Sequence, residues 1–147
     1  MNQENWEVNI LLKPKLRTYR VLKDNVAAEN YLSLPKYQRS LIAKLRSGTL
    51  PLAIETGRYT NVPLENRTCT LCSNNLIEDE IHFMCVCEKL QHIRSGYFSK
   101  YCEKSNVFSS IDNESKFVYI MQNHHILLGK FISELWNFRI SLIYNNG

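Results

Sequence analysis

From Arg67 to Cys87 the chain reads R-T-C-T-L-C-S-N-N-L-I-E-D-E-I-H-F-M-C-V-C. Its sulfur and imidazole donors are spaced C-x2-C-x9-H-x4-C. A C-x-x-C pair aims two thiolates at one cation from a tight turn, and a second pair from a later element completes the tetrahedron that structural Zn²⁺ prefers. Cys69 and Cys72 form the first pair, His82 and Cys87 the second. Four protein ligands leave no coordination position for a water or a substrate, so the expected ion holds the fold together and activates nothing. Cys85 could replace Cys87, but H-x-x-C is a tighter return than H-x4-C. A thiol can also be a small buried hydrophobe, the role expected for Cys102 in the core. A disulfide framework fits poorly, because the chain has 5 cysteines and its first residues, M-N-Q-E-N-W-E-V-N, lack the basic and apolar regions of a secretory signal. A reducing compartment, cytoplasmic or nuclear, is the expectation, and there clustered cysteines more often mean metal.

Other chemistry lacks its residues. The sequence has no Asp-Asp dipeptide to hold the two Mg²⁺ ions of a polymerase, no phosphate-binding G-x-x-x-x-G-K-S/T loop, no G-x-S-x-G elbow and no H-E-x-x-H helix. The acidic cluster Glu78-Asp79-Glu80 reads as solvated loop charge. His92, His124 and His125 have no sequence-near partner to orient them as bases or ligands.

The runs L-R-T-Y-R-V-L-K (Leu16 to Lys23), L-I-A-K-L-R-S-G-T-L-P-L-A-I-E-T-G-R-Y (Leu41 to Tyr59), E-N-R-T-C-T-L-C and I-E-D-E-I-H-F occur in that order. Together they resemble the zinc-binding segment downstream of the polymerase in non-LTR retrotransposon reverse transcriptases, over roughly residues 11 to 144. The resemblance places that family's ligands on Cys69, Cys72, His82 and Cys87, in a finger like a retroviral zinc knuckle with its middle spacer lengthened to nine residues. It implies a non-catalytic domain that helps hold template RNA or target DNA near the polymerase and endonuclease parts of such a protein. The alternative is a zinc-stabilised protein-interaction module, with Glu78-Asp79-Glu80 and exposed aromatic side chains meeting another protein.

Charge is divided along the chain. Between Lys13 and Arg46 nine basic residues (Lys13, Lys15, Arg17, Arg20, Lys23, Lys36, Arg39, Lys44 and Arg46) face Asp24 and Glu29, a balance of +7. From Ala53 to Glu88, Arg58 and Arg67 face six acids, a balance of −4. Clustered Lys and Arg on helices are the footprint of phosphate binding, with Tyr19 and Tyr37 available to stack on bases, although a charged stripe is also the ordinary wet face of an amphipathic helix. The nine basic residues are therefore the candidate nucleic-acid contacts, RNA or DNA.

The elements that must position these groups follow from apolar spacing. Of 147 residues, 44% are hydrophobic and 22% charged, which suits one domain with a real core, and no apolar run approaches membrane-spanning length. The expected fold is mainly α: a small helical domain with an inserted zinc-knuckle-like finger and a short extended segment. Residues 1–50 form its basic helical part, 51–88 the extended segment and finger, and 89–147 the C-terminal helices. Leu16, Tyr19 and Leu22-Lys23 recur at helical spacing, and Tyr37, Leu41, Ile42 and Leu45 make a stripe opening after Pro35 and closing at Gly48. Leu50 to Pro63, with Pro51, Gly57 and Pro63, reads as extended chain and turn with Leu52 and Ile54 inward and Gly57 at positive φ. Leu90, Ile93, Tyr97 and Tyr101 predict a helix from Cys87 to about Cys102, with that thiolate at its N-terminus. Phe108 to Asn113 reads as loop. The stripe from Phe117 to Leu142 is one long helix or two broken near Gly129.

Overall fold

The computed structural model describes residues 33–146, and the expected helix around Leu16 to Lys23 lies outside them. The described chain is mainly α-helical: α1 (Lys36–Ser47), α2 (Ala53–Tyr59), α3 (Gln91–Lys104), α4 (Asn113–Gln122) and α5 (His125–Asn146). Among the described residues the one piece of β pairing is an isolated antiparallel bridge, Thr68 to Ile77. No described helix is long and apolar enough to cross a membrane.

Helix α1 begins and ends where its sequence says. Pro35 sets the entry with φ −53°, and Gly48 closes the helix at φ 73°. There the Gly48 and Thr49 amides donate to the Leu45 and Lys44 carbonyls at 3.4 and 2.9 Å, satisfying acceptors that the helix end would otherwise leave open. Its buried face of Leu41, Ile42 and Leu45 packs on α5, the longest element, which also packs on α3. The α3–α5 layer is aromatic: the Tyr97 ring stacks on Phe131 at 4.8 Å, and Tyr101 stacks on Phe108 at 5.5 Å. Leu128, Phe131, Ile132 and Leu135 complete one continuous core with Leu50 and Leu52.

Several expectations change. Leu52 and Ile54 do point inward, but the segment turns helical at Ala53. Pro51 stands before the helix, where its missing N–H costs nothing. Gly57 lies inside α2 and its φ is not positive: the reason for glycine there is the Arg67 side chain, whose Cγ would lie 2.6 Å from an added Cβ. Gly129 likewise does not break the last helix. It lets α1 approach α5, since an added Cβ would meet Gln38 and would lie 3.1 Å from the Leu34 side chain. The break comes earlier, at His124, whose φ of 54° ends one helix and starts the next. The expected loop at Phe108 contains a 3₁₀ turn, Phe108–Ser110, that buries the Phe108 ring. Cys102, expected in the core, is exposed.

Candidate metal centre

The segment from Arg67 to Cys87, between α2 and α3, is built from short-range contacts. The bridge at Thr68 and Ile77 closes a loop, with the Cys69 amide donating to the Leu76 carbonyl at 2.8 Å and the Glu78 amide to Arg67 at 3.0 Å. Asn75 turns the loop at φ 56°, a left-handed conformation that asparagine tolerates. The Leu71 amide points at the Cys69 sulfur, 3.4 Å away, which favours the thiolate.

The second ligand pair depends on a turn that the sequence did not announce. His82–Val86 form one π-helical turn, closed by the Cys87 amide on the His82 carbonyl at 2.8 Å. An i→i+5 closure returns the chain to the same side after five residues, which an α-turn does not. His82 and Cys87 therefore face the first pair while Phe83 and Met84, both fully buried, enter the core. Asp79 caps the turn by accepting from the His82 amide at 2.8 Å.

The four sequence-predicted ligands converge. The donor atoms of Cys69, Cys72, His82 and Cys87 all lie within 4.8 Å of one another, and all four residues are buried. The Cys69 and Cys87 sulfurs are 3.8 Å apart, and the Cys72 sulfur is 3.5 Å from His82 Nε2. A tetrahedral cation about 2.3 Å from sulfur and about 2.0 to 2.1 Å from nitrogen requires edges of about 3.8 Å between sulfurs and about 3.5 to 3.6 Å between sulfur and nitrogen. The donor set and its spacing thus fit a metal ion with four protein ligands. Exposures of 1% for Cys87, 3% for His82, 6% for Cys69 and 7% for Cys72 leave no opening for a substrate.

Without a cation, Cys69 and Cys87 titrate unequally. The hydrogen bond with Cys87, helped by His82 against the opposing effect of burial, brings Cys69 down to about 3. The same contact, together with burial, holds Cys87 above the ordinary thiol range. A cation held by Cys69, Cys72, His82 and Cys87 would take the three cysteines as thiolates and His82 as a neutral imidazole. Cys85 is outside the cluster, and burial pushes its thiol up to about 12. The choice of Cys87 over Cys85 follows from the π turn, which sends neighbouring thiols to different places.

Arg94 and Arg139, overlooked in the sequence, and Glu78, read there as solvated loop charge, hold this centre against the helices. Glu78 is not solvated loop charge: it is 1% exposed and receives Arg139 through Nε at 2.8 Å and Nη2 at 2.7 Å. The same carboxylate accepts from the Ala53 amide at 2.8 Å, so it caps α2 from a distance. Glu80 is buried as well, which removes the acidic surface expected at this cluster. Arg94, 1% exposed on α3, donates through Nε to the Met84 carbonyl at 3.0 Å and through Nη1 to Gln91 at 2.7 Å. It satisfies a carbonyl that the π turn leaves open, and burial lowers its own pKa. The only advance signal was chemical: a charge inside an otherwise apolar stripe, as at Arg139 and Arg94, demands a buried partner.

The candidate nucleic-acid contacts are divided by what is described. Lys13, Lys15, Arg17, Arg20 and Lys23 lie outside the described residues. Lys36, Arg39, Lys44 and Arg46 lie on α1, with both lysines exposed and both arginines half-buried. At 3.6 residues per turn Arg39 and Arg46 share one flank of the helix and Lys44 takes the other, so they form no single stripe. Tyr37 keeps an exposed ring while its hydroxyl bonds Asn137 on α5. His92 lies edge-on to Phe138 at 4.6 Å, and His124 pairs with the Tyr119 hydroxyl at 3.1 Å; neither joins the metal cluster.

No protein-family model, curated protein or solved structure matches this chain.

Proposed function

We propose that the chain is a zinc-stabilised module that binds RNA or DNA without catalysing a reaction, similar to the segment downstream of the polymerase in non-LTR retrotransposon reverse transcriptases. The observation that carries the reading is the buried Cys69, Cys72, His82 and Cys87 cluster with edges of 3.8 and 3.5 Å. Three thiolates and an imidazole are the donor set of a structural zinc site, whereas Mg²⁺ and Ca²⁺ take oxygen ligands. Nucleic-acid binding is supported by α1, whose sequence KYQRSLIAKLRS holds four basic residues and no acidic one, with Lys36 and Lys44 exposed. The competing interaction-module reading loses its acidic surface, because Glu78 and Glu80 are inside. A polymerase part of the same or another chain is the partner that this reading calls for.

Native mass spectrometry of the purified chain should show one zinc, lost in Cys72→Ser and kept in Cys85→Ser. Fluorescence anisotropy with single-stranded RNA and duplex DNA, at several salt concentrations, tests the binding. Each phosphate contact contributes about 0.7 to 0.9 to the slope of log affinity against log salt, so Lys36→Ala/Lys44→Ala should shallow it by about 1.4 to 1.8. A metal-free wild-type protein refutes the zinc assignment, and a zinc-loaded protein that ignores both probes at low salt returns the choice to the interaction module.

A further inference from the structure

A cavity of about 520 Å³, sharing no residue with the metal centre, is formed by the C-terminal end of α3 and the start of α5. Lys100 and Lys104 of α3 and Lys130 of α5 line it, and among the described residues Glu103 is the one acidic residue in the lining. Lys100 and Lys104 are four residues apart and share a helix face, where like charges repel. A third lysine facing them adds to that cost unless an anion sits between. Beside the cavity, the Lys100 ammonium rests 5.0 Å from the Tyr97 ring, which is itself stacked on Phe131 at 4.8 Å.

The opposite wall adds donors to the charge. Residues His124 to Leu127, including the first turn of the 22-residue helix α5, line the same cavity. First-turn amides have no acceptor within their own helix, and here the turn carries no acidic side chain to occupy them. Slight desolvation and nearby Lys104 lower the pKa of His124, whose ring nitrogen pairs with the Tyr119 hydroxyl at 3.1 Å.

We propose that this cleft is a phosphate-binding site, with Lys100, Lys104 and Lys130 as its cationic ligands and the backbone of a nucleic-acid strand as the source of the phosphate. The choice of source rests on the function proposed above. The cleft would give that strand a second basic contact, on α3 and α5, apart from the N-terminal lysines and arginines. Its three exposed lysines and open mouth suit a phosphodiester passing through.

The test has two arms on the zinc-loaded full chain. In the first, inorganic pyrophosphate is titrated while backbone amide shifts are followed by NMR; the site predicts saturable shifts at Ile126 and Leu127, absent in Lys100→Ala/Lys104→Ala/Lys130→Ala. In the second, anisotropy with a single-stranded oligonucleotide is measured across salt. The triple alanine variant should lose about 2 to 3 units of slope and at least tenfold in affinity, and the triple arginine variant should keep both. Oligonucleotide binding with an unchanged slope in the alanine variant overturns the cleft as a strand contact and leaves the proposed function standing. Saturable pyrophosphate shifts in a wild-type protein that binds no oligonucleotide do the reverse, and an absence of response in both arms overturns the cleft altogether.

Discussion

The segment from Arg67 to Cys87 and the helices that follow it build their interiors from different materials. The finger has one isolated β-bridge, one π turn, a left-handed asparagine and an exposed Leu76, and its centre is three sulfurs and an imidazole. The helical part is held by aromatic and aliphatic burial, with Tyr97, Tyr101, Phe108, Phe117 and Phe131 in contact through α3, α4 and α5. Some twenty residues cannot bury enough apolar surface to offset the entropy of ordering them, and a metal ion on the four donors would supply what burial does not. The two parts are joined rather than juxtaposed: the π turn sends Phe83 against Trp136 at 6.0 Å, and Glu78 receives Arg139 of α5.

The largest expected effect separates the two materials. Structural zinc sites of this type contribute about 10 to 16 kcal/mol to folding at neutral pH, so Cys72→Ser or a strong chelator should abolish amide-exchange protection over residues 67–87. Protection in the buried turns of α3 and α5 should persist, though weakened. Uniform loss across both parts would mean that they fold as one unit and that the distinction is false.

Next comes the joint. Removing one partner of a buried ion pair costs about 3 to 5 kcal/mol, because the other charge stays buried. Arg139→Met should lower stability to urea by that amount, and Glu78→Gln by somewhat less, since the amide oxygen can still accept from Ala53. The double variant should fall well short of the sum, and strict additivity in this cycle would show that the pair does not couple finger to helix.

A smaller effect is expected at Gly57→Ala. The added methyl meets Arg67, whose side chain is pinned by bonds to the Val62 and Ile54 carbonyls at 2.9 and 3.1 Å. Overpacking outweighs the gain in helix propensity, leaving a net loss of about 1 to 2 kcal/mol in denaturant titrations. A stabilised variant would show that Arg67 yields to the methyl and that the close approach does not require glycine.

The smallest difference is between neighbouring thiols. At pH 8 iodoacetamide should modify exposed Cys102 first and leave buried Cys85 slow, with the three ligand thiols becoming reactive only when the metal is stripped. Early alkylation of Cys85 in the zinc-loaded protein would place it outside the core and reopen the choice between Cys85 and Cys87.

Helix ends with a local cause were readable: Pro35 and Gly48 bracket α1 because each restricts or frees the backbone at its own position. The ligands were readable because metal chemistry restricts residue type and spacing together. Gly57 and Gly129 were misread for a common reason. Both look like turn signals, and both are there to admit a side chain from elsewhere, Arg67 in one case and Gln38 with Leu34 in the other. Glu78 was misread in the same way, since its partner Arg139 stands sixty-one positions along the chain.

By itself, then, the sequence determined the helical class, the four donors and the surplus of positive charge before Arg46, because each depends on residue type and near-neighbour spacing. Tertiary structure decided which thiol turns toward the metal, which acids are solvated and which lysines share a cavity. The π turn at His82–Val86 separates Cys85 from Cys87, Arg139 draws Glu78 inside, and the packing of α3 beside α5 gathers Lys100, Lys104 and Lys130 around one cleft. Such outcomes depend on where distant segments meet, and burial fixes that only when the whole core closes.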